Sequence, residues 1–237
     1  MASVAEIGPA PIREALAALG PEASDAIVEL LRSVSPSVVE VRRHGRGGGA
    51  GFVWDGDGGI VTNAHVVGDA DRLEVRYAGG QVATASVVRR DANLDLALLE
   101  GPAGAASPVR IGDSAQLRAG QLVFAIGHPW GQVGVVTAGI VSAVRTVMVA
   151  GQATEDLIRS DVQLAPGNSG GPLLNPAGEV IGVNSMIWGG DLSISIPSNR
   201  IRAWLASSPE RAEEGPEVVF VRLPAWRRQA RGGWHRR

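Results

Sequence analysis

A serine within a glycine-rich stretch is the first residue whose surroundings suggest chemistry. Ser169 lies in the segment QLAPGNSGGPLL (163–174), with Gly167 before it and Gly170 and Gly171 after it. Glycine adopts backbone conformations that cost other residues energy, so such a stretch can bend sharply and turn several N–H groups towards one point. The pattern is typical either of a plain turn between strands or of a loop that presents a nucleophile.

The stretch also matches the Gly-x-Ser-x-Gly nucleophile elbow of α/β hydrolases. That elbow needs a helix after the serine and a catalytic histidine later in the chain. Here Pro172 and a strand-like segment follow, and the one histidine after Ser169 is His235, within an arginine-rich terminal segment. The sequence therefore argues against an elbow.

A histidine and an aspartate upstream of Ser169 complete a possible catalytic set. His65 follows an apolar run in GGIVTNAHVV, and Asp95 lies between two leucines in NLDLALLE. An unpaired carboxylate is costly to bury, and an imidazole N–H is a natural partner for it. Each residue alone also fits a structural role, which is the interpretation we keep for His44 and His128. Together, in the order His–Asp–Ser, the three residues predict catalysis by an activated serine.

Composition narrows both the chemistry and the fold. The chain has no cysteine and no lysine, so all 22 basic residues are arginine. This excludes disulfides, thiolate nucleophiles, cysteine zinc sites and serine–lysine hydrolases, and we expect no metal and no cofactor. The 32 glycines between short Val/Ile-rich runs favour an all-β barrel or sandwich. A net charge of −2 gives no overall attraction to nucleic acid or to anionic membranes.

Three motifs, TNAHVV, NLDLALL and APGNSGGPLLN, resemble the catalytic motifs of chymotrypsin-fold serine proteases, in particular those of the HtrA/Deg branch. The segments IGDSAQLRAGQLVFAIGHPWG, VTAGIVSAVRT and ISIPSNRI are similar to HtrA segments in the same order. The resemblance covers roughly Ala26–Leu205. It implies an all-β, chymotrypsin-like double β-barrel with a short N-terminal helical segment and a C-terminal helix.

Periodicity and composition suggest how the chain is divided. Helical spacing of apolar residues predicts helices over Ile12–Leu19 and Asp25–Val34, and strand-like spacing begins at Ser37. We expect the following units: an N-terminal extension over 1–23, a protease domain over 24–206 with barrels at about 36–105 and 109–197, and a basic C-terminal tail over 207–237 without a PDZ domain.

The resemblance implies a role for each residue of the catalytic set. Ser169 would be the nucleophile, His65 would accept its proton, and Asp95 would orient the imidazole. The oxyanion hole would comprise Gly167, Asn168 and Ser169. Its donors would be the backbone N–H groups of the glycine and the serine, with the asparagine forming the turn between them.

The same resemblance places a substrate pocket beside the nucleophile. Gln163, six residues before Ser169, would lie at the base of the pocket, where an aspartate would select Arg or Lys. Because glutamine carries no charge, we expect cleavage after small or medium aliphatic residues. The predicted pocket walls consist of Ser185, Met186, Ile187, Ser193 and Ile194.

The expected partners are polypeptide substrates and two further copies of the chain, since HtrA proteases form trimers. No apolar run approaches the 18 residues or so of a membrane span, and the first residues do not resemble a secretory signal. The sequence as given therefore predicts a cytoplasmic protein, or a periplasmic or extracellular one if the true start lies upstream.

Two alternative functions stay open: a catalytically idle scaffold of the same fold, and nucleic-acid binding through Arg222–Arg237. A solvated tail is the favoured interpretation of that last segment.

Overall fold

The computed structural model describes residues 20–43, 46–149, 152–188 and 192–207. The described residues form twelve strands and three α-helices, which are α1 (Pro21–Val34), α2 (Ala64–Val67) and α3 (Ser198–Ala206). None of these helices is long and apolar enough to cross a membrane. The strands are β1 (Val38–Arg43), β2 (Arg46–Val53), β3 (Gly59–Thr62), β4 (Arg72–Arg76), β5 (Val82–Asp91), β6 (Leu96–Glu100), β7 (Leu122–Gly127), β8 (Val135–Val149), β9 (Gln152–Ser160), β10 (Pro172–Leu174), β11 (Val180–Trp188) and β12 (Leu192–Pro197).

These strands form two closed six-stranded barrels, which confirms the predicted double β-barrel. Barrel 1 (β1–β6) has the strand order β1-β2-β3-β6-β5-β4, and barrel 2 (β7–β12) has the order β7-β8-β9-β12-β11-β10. The two orders are the same, with β1 pairing β4 and β7 pairing β10 to close each barrel. The connection between the third and fourth strands therefore has the same place in both barrels. It contains His65 in barrel 1 and Ser169 in barrel 2.

Alternation of apolar side chains gives the strands an apolar face for the barrel interior. In β4, Leu73 and Val75 are buried while the residues between and beside them are more exposed, as expected when successive side chains point to opposite faces. One apolar cluster fills barrel 1 and another fills barrel 2. A third joins both barrels to the helices through Phe52, Phe124 and Trp204, among others.

Helix α1 begins earlier than expected and packs on the barrels of its own chain. It begins at Pro21, after Gly20, because a proline in the first helical turn has no need of a hydrogen-bond acceptor. Ile27, Leu30 and Leu31 of α1 pack against the cluster that joins the barrels. The predicted helix over Ile12–Leu19 lies outside the described residues, as does the tail beyond Ser207.

Arg89 of β5 ties barrel 1 to the end of α3. Its Nη1 donates to the carbonyl oxygens of Trp204 (2.6 Å) and Ser207 (2.8 Å), and its Nη2 donates to Ser207 Oγ (2.9 Å). The guanidinium carbon also lies 4.5 Å from the centre of the Trp204 ring. A cation that binds the last carbonyls of a helix stabilises its C-terminus, so this contact links the two barrels through α3.

Candidate active site

His65 and Asp95 meet at one end of barrel 1. His65 lies on α2, the single helical turn between β3 and β4, and Asp95 lies in the turn that precedes β6. The Nδ1 atom of His65 is 2.9 Å from each carboxylate oxygen of Asp95. The backbone N–H of His65 donates to Oδ1 of the same carboxylate at 3.0 Å. These contacts direct Nδ1 at the carboxylate and leave the Nε2 side of the ring for other partners.

The Asp95 carboxylate is buried and its hydrogen bonds are satisfied. Only 6% of its side chain is exposed, against 48% for His65. Besides the contacts of His65, Oδ2 accepts a short hydrogen bond of 2.5 Å from Ser185 Oγ. Because a buried charge is costly unless it is paired and hydrogen-bonded, this arrangement holds the carboxylate in one orientation.

The loop around Ser169 joins β9 to β10 of barrel 2 and contacts barrel 1. The Ser169 carbonyl accepts from the Ala50 N–H of β2 (2.8 Å), and the Gly170 N–H donates to the Asn184 carbonyl of β11 (2.8 Å). Gly170 has a φ of +86°, and a Cβ there would collide with the Ala50 carbonyl and with Thr62 Oγ1. The glycine after the serine is therefore required both by the backbone angle and by the closeness of barrel 1.

Between Gly167 and Gly171, the backbone leaves two N–H groups available. The Asn168 N–H donates to the Ala165 carbonyl at 2.9 Å and so closes a turn. The N–H groups of Gly167 and Ser169, in contrast, donate to no residue in the described part of the chain. Gly167 has a φ of +108°. Two neighbouring free donors beside a serine hydroxyl are the arrangement that stabilises an oxyanion.

The Ser169 hydroxyl points to the backbone in this structure. Its Oγ donates to the Ser185 carbonyl at 2.9 Å, and no hydrogen bond joins it to His65. A rotation about χ1 moves such a hydroxyl between staggered positions. Catalytic hydrogen bonds are commonly long or absent without substrate and tighten when it binds. Ser185 thus contacts both halves of the site, the aspartate through its hydroxyl and the serine through its carbonyl.

The residues predicted to form the substrate pocket have different surroundings. Gln163 is exposed, and its carbonyl accepts from Thr137 Oγ1 at 2.9 Å. The Ser185 hydroxyl binds Asp95, so it is its backbone that is available to a pocket wall. Ser193 and Ile194 are buried on β12, where they pair with Ile187 and Met186 of β11. The side chains of Met186 and Ile187 lie outside the described part of the structure.

A buried histidine lies behind the loop around Ser169. The His128 N–H donates to the Gly167 carbonyl (3.1 Å), and His128 Nδ1 accepts from the Gly134 N–H (3.1 Å). Burial lowers the pKa of His128 below its ordinary value of 6.5, although the Glu40 charge and the Val39 carbonyl act in the opposite direction. From its buried position, His128 thus joins the backbone segments of Gly167 and Gly134, which is a structural role.

Two contributors to the site were missed in the sequence. Asn63 is fully buried and donates from Nδ2 to the Asp95 carbonyl at 2.9 Å, and the Ser185 hydroxyl binds the Asp95 carboxylate. A signal existed for Asn63, since an amide next to a buried apolar strand needs a partner. No such signal existed for the hydroxyl of Ser185.

In the described part of the chain, no three His, Asp or Glu side chains are grouped so as to hold a metal ion.

Comparison with known families agrees with this geometry. The family described as a trypsin-like peptidase domain matches residues 49–183, more than half of the chain. This chain belongs to that family. Within this trypsin-like peptidase family, the chain lies in the HtrA/Deg branch. The crystal structure of Deg5 superposes with a TM-score of 0.67 and 34% identity, over 77% of this chain and 93% of that one.

Further relatives of this trypsin-like peptidase are HtrA and Do-like proteases. The chloroplastic Protease Do-like 1 of Arabidopsis thaliana is 38% identical over 182 residues, which are 69% of this chain and 42% of that protein. Serine protease HTRA4 of Homo sapiens is 39% identical over 203 residues, 80% of this chain and 43% of that protein. The chain thus spans less than half the length of these curated relatives. The HtrA-type protease AlgW, solved with a decapeptide, has a TM-score of 0.67 and 26% identity over 74% of this chain and 65% of that one.

Proposed function

We propose that this protein is a serine endopeptidase that uses His65, Asp95 and Ser169 as its catalytic residues. The observation that supports this most directly is the imidazole held on a buried, fully hydrogen-bonded carboxylate, next to a serine loop that is bonded to the same barrel. The membership of the chain in the trypsin-like peptidase family gives independent support.

In the proposed reaction, Ser169 Oγ leaves the Ser185 carbonyl and attacks the scissile carbonyl carbon, while its proton passes to His65 Nε2. The carbonyl oxygen becomes an oxyanion that accepts from the Gly167 and Ser169 N–H groups. The C–N bond then breaks, and the leaving amine takes the proton from His65. A water molecule, deprotonated by the same imidazole, hydrolyses the acyl-enzyme and restores Ser169.

The substrates would be polypeptides, and we propose unfolded or damaged proteins, as in a quality-control protease. Gln163 carries no charge, so it offers a substrate Arg or Lys no fixed anion with which to form a charged hydrogen bond. We therefore expect cleavage after Val, Ala or Leu, which mass spectrometry of digested peptides would reveal.

The trimer implied by the HtrA resemblance stays a prediction: light scattering should give a mass of about three times 24.5 kDa.

Digestion of casein by the purified protein tests the function, with Ser169→Ala as the matched control. Labelling with a fluorophosphonate, which reacts with activated serines, tests the nucleophile apart from substrate choice. The hydrogen bond from Ser169 Oγ to the Ser185 carbonyl is the one observation that favours the alternative of an idle scaffold. A wild-type protein that neither digests casein nor takes the label would support that alternative.

A further inference from the structure

Asn63 lies directly behind the His65–Asp95 pair, in the connection between β3 and α2. Its side chain is fully buried, and Nδ2 donates to the backbone carbonyl of Asp95 at 2.9 Å. The reverse orientation of the amide would place Asn63 Oδ1 against the Asp95 carbonyl oxygen, so it is Nδ2 that faces Asp95. The link joins the two segments of barrel 1 that bear the histidine and the aspartate, by a route separate from the imidazole–carboxylate contact.

The backbone at Asp95 gives this hydrogen bond a specific effect. Asp95 has a φ of +53°, and among the described residues it is the one non-glycine residue with positive φ. Aspartate tolerates this region better than most residues, but the conformation is still less favourable than an ordinary one. Holding the carbonyl fixes the peptide that follows Asp95. It therefore helps to fix the direction in which the carboxylate leaves the backbone.

The other half of the Asn63 amide indicates that stability alone does not account for this residue. Its Oδ1 is buried and has no hydrogen-bond partner in the described part of the structure. A buried acceptor without a partner is destabilising, and a leucine, which has the same number and branching of side-chain heavy atoms, would not carry that cost. The feature that a leucine lacks is the N–H that reaches Asp95.

We propose that Asn63 is a positioning residue: it acts through Asp95, by fixing the backbone of the turn, to keep the carboxylate directed at His65 Nδ1. This inference rests on the proposed protease function. The carboxylate itself is held from the other side by the His65 N–H and by Ser185 Oγ. Asn63 and these two donors together hold both ends of Asp95.

The test uses Asn63→Leu, which keeps the number and branching of the side-chain heavy atoms, and Asn63→Ala, which does not. Ser198→Ala is the matched control, because Ser198 is also fully buried and donates to a backbone carbonyl, that of Gly112, at 2.8 Å. We expect both Asn63 variants to lose kcat on the order of 10²-fold, with KM changed less than about threefold, since a small misplacement of a catalytic group has this effect. Their fluorophosphonate labelling should slow in parallel. The control should keep the wild-type kcat.

Measurements are made well below each unfolding midpoint and are normalised to the folded fraction, so that lost stability is not read as lost activity. The acid limb of the kcat/KM profile should move in both Asn63 variants, because the imidazolium meets a less well aligned carboxylate. If Asn63→Leu keeps the wild-type kcat and profile, the residue only fills space and the inference is overturned. If Asn63→Leu does not fold, the labelling rate of folded Asn63→Ala decides. A wild-type protein without labelling would instead overturn the protease function itself.

Discussion

The two barrels have the same strand order but differ in how their buried hydroxyl groups are bonded. Both apolar clusters are aliphatic apart from Tyr77 of barrel 1, and the buried Thr62 hydroxyl of barrel 1 donates to a backbone carbonyl, that of Ala50, at 2.7 Å. In barrel 2, buried hydroxyls bond to other side chains: Ser160 Oγ lies 2.7 Å from Ser193 Oγ across the β9–β12 pair, and Ser195 Oγ donates to Asn184 Oδ1 at 3.0 Å. Buried polar pairs of this kind add specificity of arrangement more than stability.

This difference separates two tasks. Barrel 1 supplies the proposed base, His65, and its carboxylate, Asp95, and these groups already contact each other at 2.9 Å. Barrel 2 supplies the serine, whose hydroxyl bonds to the Ser185 carbonyl, and the strands predicted to face the substrate. The part of the site that needs no substrate to assemble belongs to barrel 1. The part that must rearrange in the proposed reaction, the Ser169 hydroxyl, belongs to barrel 2.

Removing the nucleophile of barrel 2 should have the largest effect. Ser169→Ala deletes the attacking oxygen, and loss of a catalytic serine lowers kcat by about 10⁶-fold. Barrel 1 should be unchanged, because its link to the loop uses the backbone carbonyl of Ser169. Peptide hydrolysis measures the first effect and thermal unfolding the second. Casein digestion by the variant at the wild-type rate would contradict the assignment.

Altering the carboxylate of barrel 1 should have the next largest effect. Asp95→Asn keeps the shape but presents an amide to His65 Nδ1, which disfavours the tautomer that the base needs, and such a change lowers kcat by about 10⁴-fold. The variant also replaces a charged acceptor of Ser185 Oγ by a neutral group. Steady-state kinetics on a peptide substrate checks this. A loss below tenfold would show that Asp95 does not orient the base.

Sequence patterns indicate the strand ends at which His65 and Asp95 lie, but not the burial of the serines of barrel 2. His65 and Asp95 follow and precede apolar runs that become β3 and β6, so their positions at strand ends could be inferred. In LSISIP of β12, strict alternation indicates one exposed face, yet Ser193 and Ser195 are buried. Their hydroxyls find partners across the barrel, which depends on strand pairing that no local pattern specifies. Local sequence patterns do not predict the rotamer of Ser169 either.

The contact between the loop around Ser169 and barrel 1 can be broken at Gly170. An alanine at a φ of +86° costs about 1–3 kcal/mol in backbone strain. It would also collide with the Ala50 carbonyl, so the total loss of unfolding free energy should exceed that range. Gly120→Ala is the control, because Gly120 has a φ of +90° and open space around it. Denaturant unfolding in a Ser169→Ala background compares the two, and equal losses would show that the contact adds nothing.

The second link between the barrels, from Arg89 to α3, should have a smaller effect. Arg89→Ala removes three hydrogen bonds to the end of α3 and the contact with the Trp204 ring. Hydrogen bonds from charged groups contribute about 1.5–3 kcal/mol, so we expect a loss in that range. Arg90→Ala is the control, since Arg90 binds the Ala70 carbonyl within barrel 1 at 2.7 Å. If both variants lose the same stability, Arg89 does not tie the barrels together.

The smallest effect concerns His128 of barrel 2, which should make the free energy of unfolding depend on pH. Burial lowers the pKa of His128, so the folded state binds its proton less readily than the unfolded state does. Stability from this group is therefore complete above the ordinary value of 6.5 and is lost as the pH falls below it. A protonated His128 would also give up its bond from the Gly134 N–H, because Nδ1 would then be a donor.

His128→Asn should therefore flatten the dependence of unfolding free energy on pH between about 7.5 and 5, the range around the ordinary titration of histidine. Glu40 on β1 faces His128 and opposes the effect of burial, so Glu40→Gln should make the acid loss of the parent steeper. Urea unfolding at several pH values, in the Ser169→Ala background, measures both slopes. If His128→Asn keeps the parental slope, the acid sensitivity arises elsewhere.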